Sequence, residues 1–495
     1  MTSDDKLDLD AAWRRVLKQA RLDFIPDVLR FEDYKLAWPE MKARIEHELA
    51  SGPYTPSLPT LVEVPKDSFM SRPVTMLRIE DRVVYDAILE RLIDAIEAAL
   101  PSEVHSARVR RRKNGSLDER HGVAQWLGFE AAGLALHTGA GYGFMLTTDV
   151  SSYFEYVDIK TLIQDLKTLP GVSSPVVDQL SAFLNHLERV SDVWGLPQGH
   201  SASSVLGNFY LLPLDRYLNT LSVKHVRYQD DIRIFANTRE ELMRVLRGAI
   251  GILRGRHLNF AVQKTKLSVG DEILNEFEDT AKNAINYGLE IGAADVAEDL
   301  HALFDKATVG KINARDIKFA IVRLARLDDD YAVDWILKHL DDAAFIASQL
   351  TDYLDSFLAA RPEIEDALRA LISRPSADTY PFAVLHAVRL LYRAASLQDA
   401  TRNALWALLR DSNTPVYVRE HVARCLGKHC AAGDLALLHS VLKGTSDTGL
   451  KRALLVAITE LGGVDKGFLS QVEKTDPELA ATCKFLASKA TIPAP

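Results

Sequence analysis

The stretch VRYQDDIRIFA, Val226–Ala236, sets two carboxylates side by side between runs that alternate apolar and polar residues. Alternation with a period of two marks a strand with one buried face, and two such runs joined by a short polar step predict a β-hairpin turning at Gln229 and Asp230. Asp230 and Asp231 then stand together at the tip, where their repulsion opposes holding them close. A third acid lies upstream. In LTTDVSSYF, Leu146–Phe154, Asp149 closes an apolar run before a helical pattern begins. Two strands of one sheet can bring Asp149 beside Asp230 and Asp231. Such a cluster is tolerable where divalent cations neutralise it, and Mg²⁺ suits the place because it takes oxygen ligands and keeps positions open for phosphates. Two such ions about 4 Å apart can activate a hydroxyl and stabilise a departing pyrophosphate.

Around this hairpin the chain changes character. From Phe144 to Leu267 short apolar runs alternate with helical ones, DIKTLIQDLKTL and REELMRVLRGAIGILRGR, which predicts a mixed α/β unit with helices on one face of a sheet. The first hundred residues read as helices (AAWRRVLKQARLDF, WPEMKARIEHELASG, RVVYDAILERLIDAIEAAL) interrupted by a Pro-rich segment from Pro53 to Pro65 and two short extended stretches. Beyond residue 275 strand signals nearly vanish. Leu426-Gly427 and Leu461-Gly462 stand 35 residues apart, with Val418, Val422 and Leu426 matched by Ala453, Ala457 and Leu461. That period suits helix-pair repeats of HEAT type, whose units bury their apolar faces by stacking on neighbours. An irregular helical domain is the alternative.

A chain of 495 residues exceeds one ordinary core, so two or three domains are expected. Its 47% hydrophobic and 26% charged residues are those of a globular protein, and no run approaches the ~20 apolar residues of a membrane helix. The opening MTSDDKLDLD is acidic and lacks the pattern of a secretory signal. Cys425, Cys430 and Cys483 are odd in number and form no CxxC pair, as expected of thiols in a reducing compartment. The expectation is a soluble cytoplasmic protein without a membrane partner. A formal charge of −9 argues against a surface basic throughout, yet ARVRRRKNG gathers Arg108, Arg110, Arg111, Arg112 and Lys113, enough to contact several phosphates. A solvated turn is the bland alternative.

In order along the chain, these stretches resemble a reverse transcriptase. YQDD is similar to the family's Tyr-x-Asp-Asp hairpin, and DVSSYF to its first catalytic-aspartate motif, with the aromatic residue at the expected offset. GLPQGHSASSVLGNFYLLPLD, Gly195–Asp215, resembles the Gly-Leu-Pro-Gln-Gly motif and the helix after it, and HLNFAVQKTKL, His257–Leu267, the Lys-Thr motif. VPKDSFMSRPVTMLRIEDRVV, Val64–Val84, resembles the finger segment. The resemblance spans roughly residues 35–270. It departs at His200, where relatives carry a small or a bulky aromatic residue, at Ala261 in place of Asn, and at His257 where Gly is common. None of these supplies a metal ligand, so the doubt falls on substrate detail.

The resemblance implies roles. Asp149 and Asp230 would ligate two Mg²⁺ ions, with Mn²⁺ as the alternative; Asp231 completes the cluster and the carbonyl of Val150 adds a ligand. Lys66 and Arg72 would clamp the triphosphate of an incoming dNTP. Phe154 would exclude a 2′-hydroxyl, Gln198 and Gly199 would floor the nucleotide and template, Tyr228 would pack beside the primer end, and Lys264 would hand a proton to pyrophosphate. The segment Val104–Ala132, with its Ser-x-Arg and Trp, is similar to bacterial reverse transcriptases of the abortive-infection and unknown-group defence classes, which also follow the palm with HEAT-like helices. The implied fold is α+β: an N-terminal helical segment (1–34), right-hand polymerase fingers and palm (35–270), and an all-α HEAT-like repeat domain in the thumb position (271–495). The implied function is RNA-directed DNA synthesis in anti-phage defence, with an RNA template, often a dedicated non-coding RNA, a DNA product and a homo-oligomer. Untemplated or protein-primed synthesis by the same site, and a non-catalytic RNA-binding scaffold, remain as alternatives.

Overall fold

The computed structural model describes residues 6–113, 115–119, 122–277, 279–291, 295–375 and 379–495. Residues 1–5 of the expected N-terminal segment, and Asn114, Arg120 and His121 of the stretch that follows the fingers, lie outside these. The chain forms two compact units. One joins Met1–Gln19, Lys42–Val62 and Pro73–Thr280; the other joins Ala20–Met41, Glu63–Arg72 and Ala281–Pro495.

Strands β1 (Thr60–Pro65) and β2 (Ser71–Met76) pair in a two-stranded ribbon, as do β3 (Val109–Arg111) and β4 (Leu117–Glu119). The centre of the first unit is a four-stranded sheet of β5 (Phe144–Thr148), β6 (Lys224–Tyr228), β7 (Asp231–Ala236) and β8 (Lys266–Val269), in the order β6-β7-β5-β8 and antiparallel throughout. Met145, Val226 and Phe235 share one face and pack with Phe129 of helix Gly122–Thr138 and Ile273 of helix Asp271–Phe277. Ile232 and Ile234, which point to the other face, are fully buried as well. The sequence suggests helices on one face only; β7 is instead covered on both, so its alternation does not separate core from solvent.

Helix Arg239–Arg254 packs on β5 and β7 and starts where the sequence says a helix should. Thr238 Oγ1 accepts from Glu241 N at 3.2 Å and Glu241 Oε2 accepts from Thr238 N at 3.3 Å, a reciprocal cap, and Leu242, Val245, Ala249 and Leu253 form its buried stripe. The long helix Ile79–Ala99 is the unit's internal spar. It packs against Leu9–Gln19, Ser174–Val190 and Ser201–Tyr210. Arg15 ties the first of these to it, donating from Nε to Asp86 Oδ2 at 2.7 Å and from Nη1 to Glu90 Oε2 at 2.6 Å.

The second unit is helical apart from the hairpin residues it includes. Helices beginning at residues 314, 347, 381, 416 and 448 pack each on the next, a step of roughly 34 residues that matches the scale of helix-pair repeats. A second row, Val333–His339, Glu363–Ile372 and Asp399–Arg410, packs in the same succession. The Leu-Gly pairs matched in the sequence play different parts here. Gly427 lies inside helix Val416–His429, where a Cβ would meet Ala457 Cα at 2.6 Å, so its missing side chain lets two helices touch. Gly462 follows helix Thr448–Glu460 with φ of 75°, the left-handed residue that ends a helix.

Segment 20–41 is fastened to the last helices of this unit by buried charge. Arg452 donates from Nε to Asp33 Oδ2 at 2.6 Å and from Nη1 to Asp27 Oδ2 at 2.5 Å, and Thr482 Oγ1 donates to Asp33 Oδ2 at 2.8 Å. Arg424 reaches the carbonyl of Val28 and pairs with Glu460 at 3.0 Å. The expected N-terminal segment, 1–34, is thus shared: its first helix belongs with one unit and its remainder with the other. Among the described residues, no helix is long and apolar enough to cross a membrane.

Candidate active site

The sheet register brings the acids to one end. Thr148 pairs with Ile232, so Asp149, which follows β5, and Asp231, which opens β7, lie at the same end of adjacent antiparallel strands. Tyr228 pairs with Asp231, leaving Gln229 and Asp230 as the two-residue turn between β6 and β7. Burial and the charges of Asp149 and Asp231 push the Asp230 carboxyl up to about 7. Burial, followed by Asp149, raises Asp231.

Lys264 supplies the counter-charge. Its Nζ lies 2.5 Å from Asp149 Oδ2, on the short turn Val262–Lys264. Burial alone would lower its ammonium, but the hydrogen bond to Asp149 and the charges of all three aspartates raise it. The Lys-Thr segment is stitched to the end of β5: Ala261 N donates to Asp149 O at 2.7 Å, Thr148 Oγ1 and Thr265 Oγ1 lie 2.8 Å apart, and buried Val150 bridges to Phe260. Among the described residues no three carboxylate, imidazole or thiol groups converge closely enough to hold an ion as they stand. In kind the donors fit a hard divalent cation: they are carboxylate oxygens, and two of the three are crowded into a raised pKa that a cation would relieve.

Phe154 lies on the turn Tyr153–Tyr156, its ring 5.3 Å from that of Tyr153. Gly207 of helix Ser201–Tyr210 faces these two rings, with 3.4 Å left between a would-be Cβ and Phe154. The Gly-Leu-Pro-Gln-Gly loop is held from both sides by its backbone. Leu196 N donates to Phe154 O at 2.9 Å, and Thr75 N of β2 donates to Gln198 O at 2.9 Å. Gly199 has φ of 106°, a conformation that strains any side chain, and Val74 Cγ1 sits 3.0 Å from where its Cβ would be, so a side chain there would also press on Val74. His200 has a structural task. Its Nε2 donates to Thr75 O at 2.8 Å, and burial, followed by Arg82, lowers its imidazole to about 3, so it is neutral. Tyr228 stands edge-on to Trp126 at 5.1 Å, and burial raises its phenol.

Lys66 and Arg72 belong to the second unit; Lys66 is exposed and its N–H donates to Met70 O at 2.7 Å, while the Arg72 guanidinium lies 5.2 Å from the Phe24 ring centre. In the basic stretch, Arg108 is committed to Glu97 at 2.9 Å and to the carbonyls of Pro101 and Val104, and Arg111 to Asp94 and Gly115 O. Arg110, Arg112 and Lys113 are exposed.

Sequence reasoning missed the polar network beneath the turn. Arg227, which alternation places on an outward face, has no exposure at all and is paired with Asp215, also fully buried. The available signal was Asp215 itself, a lone acid in the helix LPLDRYLN, Leu212–Asn219, because an acid in such a run needs a buried partner.

Residues 64–303, a little under half the chain, match the family model described as reverse transcriptase (RNA-dependent DNA polymerase). No curated protein matches the chain.

Proposed function

With residues 64–303 a reverse transcriptase domain and the chain an RNA-directed DNA polymerase, a nucleotidyltransferase, we propose that Asp149, Asp230 and Asp231 carry nucleotidyl transfer from dNTPs and that the enzyme serves bacterial anti-phage defence. The observation that carries the catalytic assignment is the gathering of three carboxylates at one end of the sheet, where burial and then the charges of Asp149 and Asp231 lift Asp230 to about 7. Clustered acids that disfavour each other's charge are the expected ground state of a site built to take cations. Two Mg²⁺ ions, or Mn²⁺ in their place, supply when bound the activation of the primer hydroxyl and the stabilisation of the leaving pyrophosphate.

The chain's own residues do the rest. Asp149 and Asp230 would hold the ions, with Asp231 and the Val150 carbonyl completing the set. Lys264 holds its proton beside Asp149 and would be the donor to pyrophosphate. Phe154, backed by Tyr153, excludes a 2′-hydroxyl; Gln198 and Gly199 form the floor, Tyr228 packs at the primer end, and Lys66 and Arg72 neutralise the triphosphate. Arg108, Arg110, Arg111, Arg112 and Lys113 of the basic stretch contact nucleic acid.

The defence reading is supported by the likeness of Val104–Ala132 to that class and by the helical succession at a step of roughly 34 residues, which we assign to HEAT-like repeats. On this reading the chain divides into segments 1–34, 35–270 and 271–495, copies an RNA template, such as a dedicated non-coding RNA, into DNA, and works as a homo-oligomer in the cytoplasm. Purified protein should extend DNA with dNTPs and Mg²⁺, and the double variant Asp230→Ala, Asp231→Ala should lose incorporation; unchanged incorporation would defeat the assignment. Sequencing the product, and testing whether DNA stays on denatured protein, separates templated from untemplated or protein-primed synthesis.

A further inference from the structure

The turn that carries Asp230 is strained and is held from below. Gln229 has φ of 59°, a left-handed conformation at the first of two turn positions, where glycine is the usual residue. Its N–H donates to Ser106 Oγ at 2.6 Å, its side-chain Nε2 donates to Ser204 O at 2.9 Å, and its carbonyl accepts from Arg227 Nη1 at 2.9 Å. That carbonyl belongs to the peptide plane that begins Asp230, so holding it sets the direction in which the Asp230 side chain leaves the backbone.

Arg227 is itself fixed on every side. Nε and Nη2 donate to the two oxygens of Asp215 at 2.8 and 2.5 Å, Nη1 donates to Asn208 Oδ1 at 2.9 Å, and Nη2 to Asn208 O at 3.2 Å. Burial would raise the Asp215 carboxyl, but Arg227 keeps it below the usual range, so the pair stays charged. A buried ion pair is a poor source of stability compared with well-packed apolar residues, and its best-attested use is to fix one geometry among several. Of the bonds made by this guanidinium, one leaves the core and reaches the turn.

We propose that Arg227, fixed by Asp215 and Asn208, is a positioning residue for Asp230: it clamps the Gln229 carbonyl and so holds the aspartate turn ready for cations. This rests on the active-site reading above. In the full-length chain, Arg227→Lys keeps the charge and loses the fork. The measurements are Mn²⁺ affinity by electron paramagnetic resonance without nucleotide, Mg²⁺ half-saturation of dNTP incorporation, KM for dNTP at saturating metal, and Tm. Arg227→Lys should weaken Mn²⁺ binding and raise the Mg²⁺ half-saturation about tenfold or more, as loss of a residue that orients a ligand does. High Mg²⁺ should restore incorporation, and KM for dNTP should stay near wild type.

Should Arg227→Lys not fold, Ser106→Ala removes a second hold on the same residue and leaves the ion pair intact; it should shift both metal readouts about threefold to tenfold, the worth of one hydrogen bond. Folded variants with wild-type Mn²⁺ affinity, or a loss of incorporation that metal does not restore, would overturn the proposal. Failure of the active-site reading looks different: Asp230→Ala would then bind Mn²⁺ and incorporate dNTP as wild type does.

Discussion

Replacing Asp230 with Asn should stabilise the free protein at alkaline pH and do little at acid pH. The carboxyl stands at about 7 because of burial, and then because Asp149 and Asp231 oppose its charge. In an unfolded chain it ionises near 4. Between those values the folded state binds a proton that the unfolded state does not, so stability falls as pH rises through the window and levels off above it. If the whole displacement were realised, the ionised folded state would lose about 4 kcal/mol. The charge of Lys264 is already included in that displacement; solvent at the turn screens part of the remainder, leaving about 1–3 kcal/mol. Asn keeps the shape and removes the charge. Urea unfolding read by hydrogen exchange across β5 to β8, with chelator present, should show Asp230→Asn more stable than wild type by that amount at pH 8.5, with the gap closing by pH 4. Adding Mg²⁺ at pH 8.5 should stabilise wild type and narrow the gap, because bound cation takes over the neutralisation. A gap that does not change with pH, or a variant less stable than wild type at pH 8.5, would refute the account of the crowded carboxylates.

Two further perturbations test the helical unit. Arg452→Ala strands Asp27 and Asp33, both bonded to that guanidinium, and should cost about 3–5 kcal/mol; limited proteolysis should then cut within segment 20–41 first. Gly427→Ala drives a methyl into Ala457 and should cost about 1–3 kcal/mol, seen as a lower urea midpoint for exchange in helices Val416–His429 and Thr448–Glu460, whereas Gly462→Ala perturbs only a helix end.

What the chain discloses in advance follows from which physical signals are local. The hairpin is visible because Val226–Ala236 alternates and because Gln229-Asp230 cannot continue a strand, and the helix after it because Thr238 and Glu241 stand at capping distance in sequence. The succession of helices past residue 275 is legible for the same reason, since amphipathic period is written within each segment. The double covering of β7 is not, because Ile232 and Ile234 look alike whether the helix opposite them exists or not. Nor do Asp27 and Asp33 announce Arg452, which lies more than 400 positions away; an acid is read as solvated until its partner is known. The partners of Arg108 and Arg111 are hidden in the same way, since the acids that pair with this basic run sit on helix Ile79–Ala99.

The aspartate turn joins these two kinds of information. Position 229 must adopt a left-handed backbone, yet the chain places glutamine there, giving up conformational ease that glycine would supply. What it gains is a side chain that bonds Ser204 O and a more restricted backbone, with Ser106 and Arg227 closing the remaining groups. A glycine turn would keep the holds of Ser106 and Arg227 on its backbone but lose the bond to Ser204 O and gain backbone freedom, loosening one restraint against the direction in which repulsion from Asp149 and Asp231 drives Asp230. On the proposal above, the buried charge of Arg227 and the strain at Gln229 answer one requirement, that Asp230 be held beside Asp149 and Asp231 against their repulsion. Local alternation reveals that the acids are at a tip; only the long-range network accounts for their staying there.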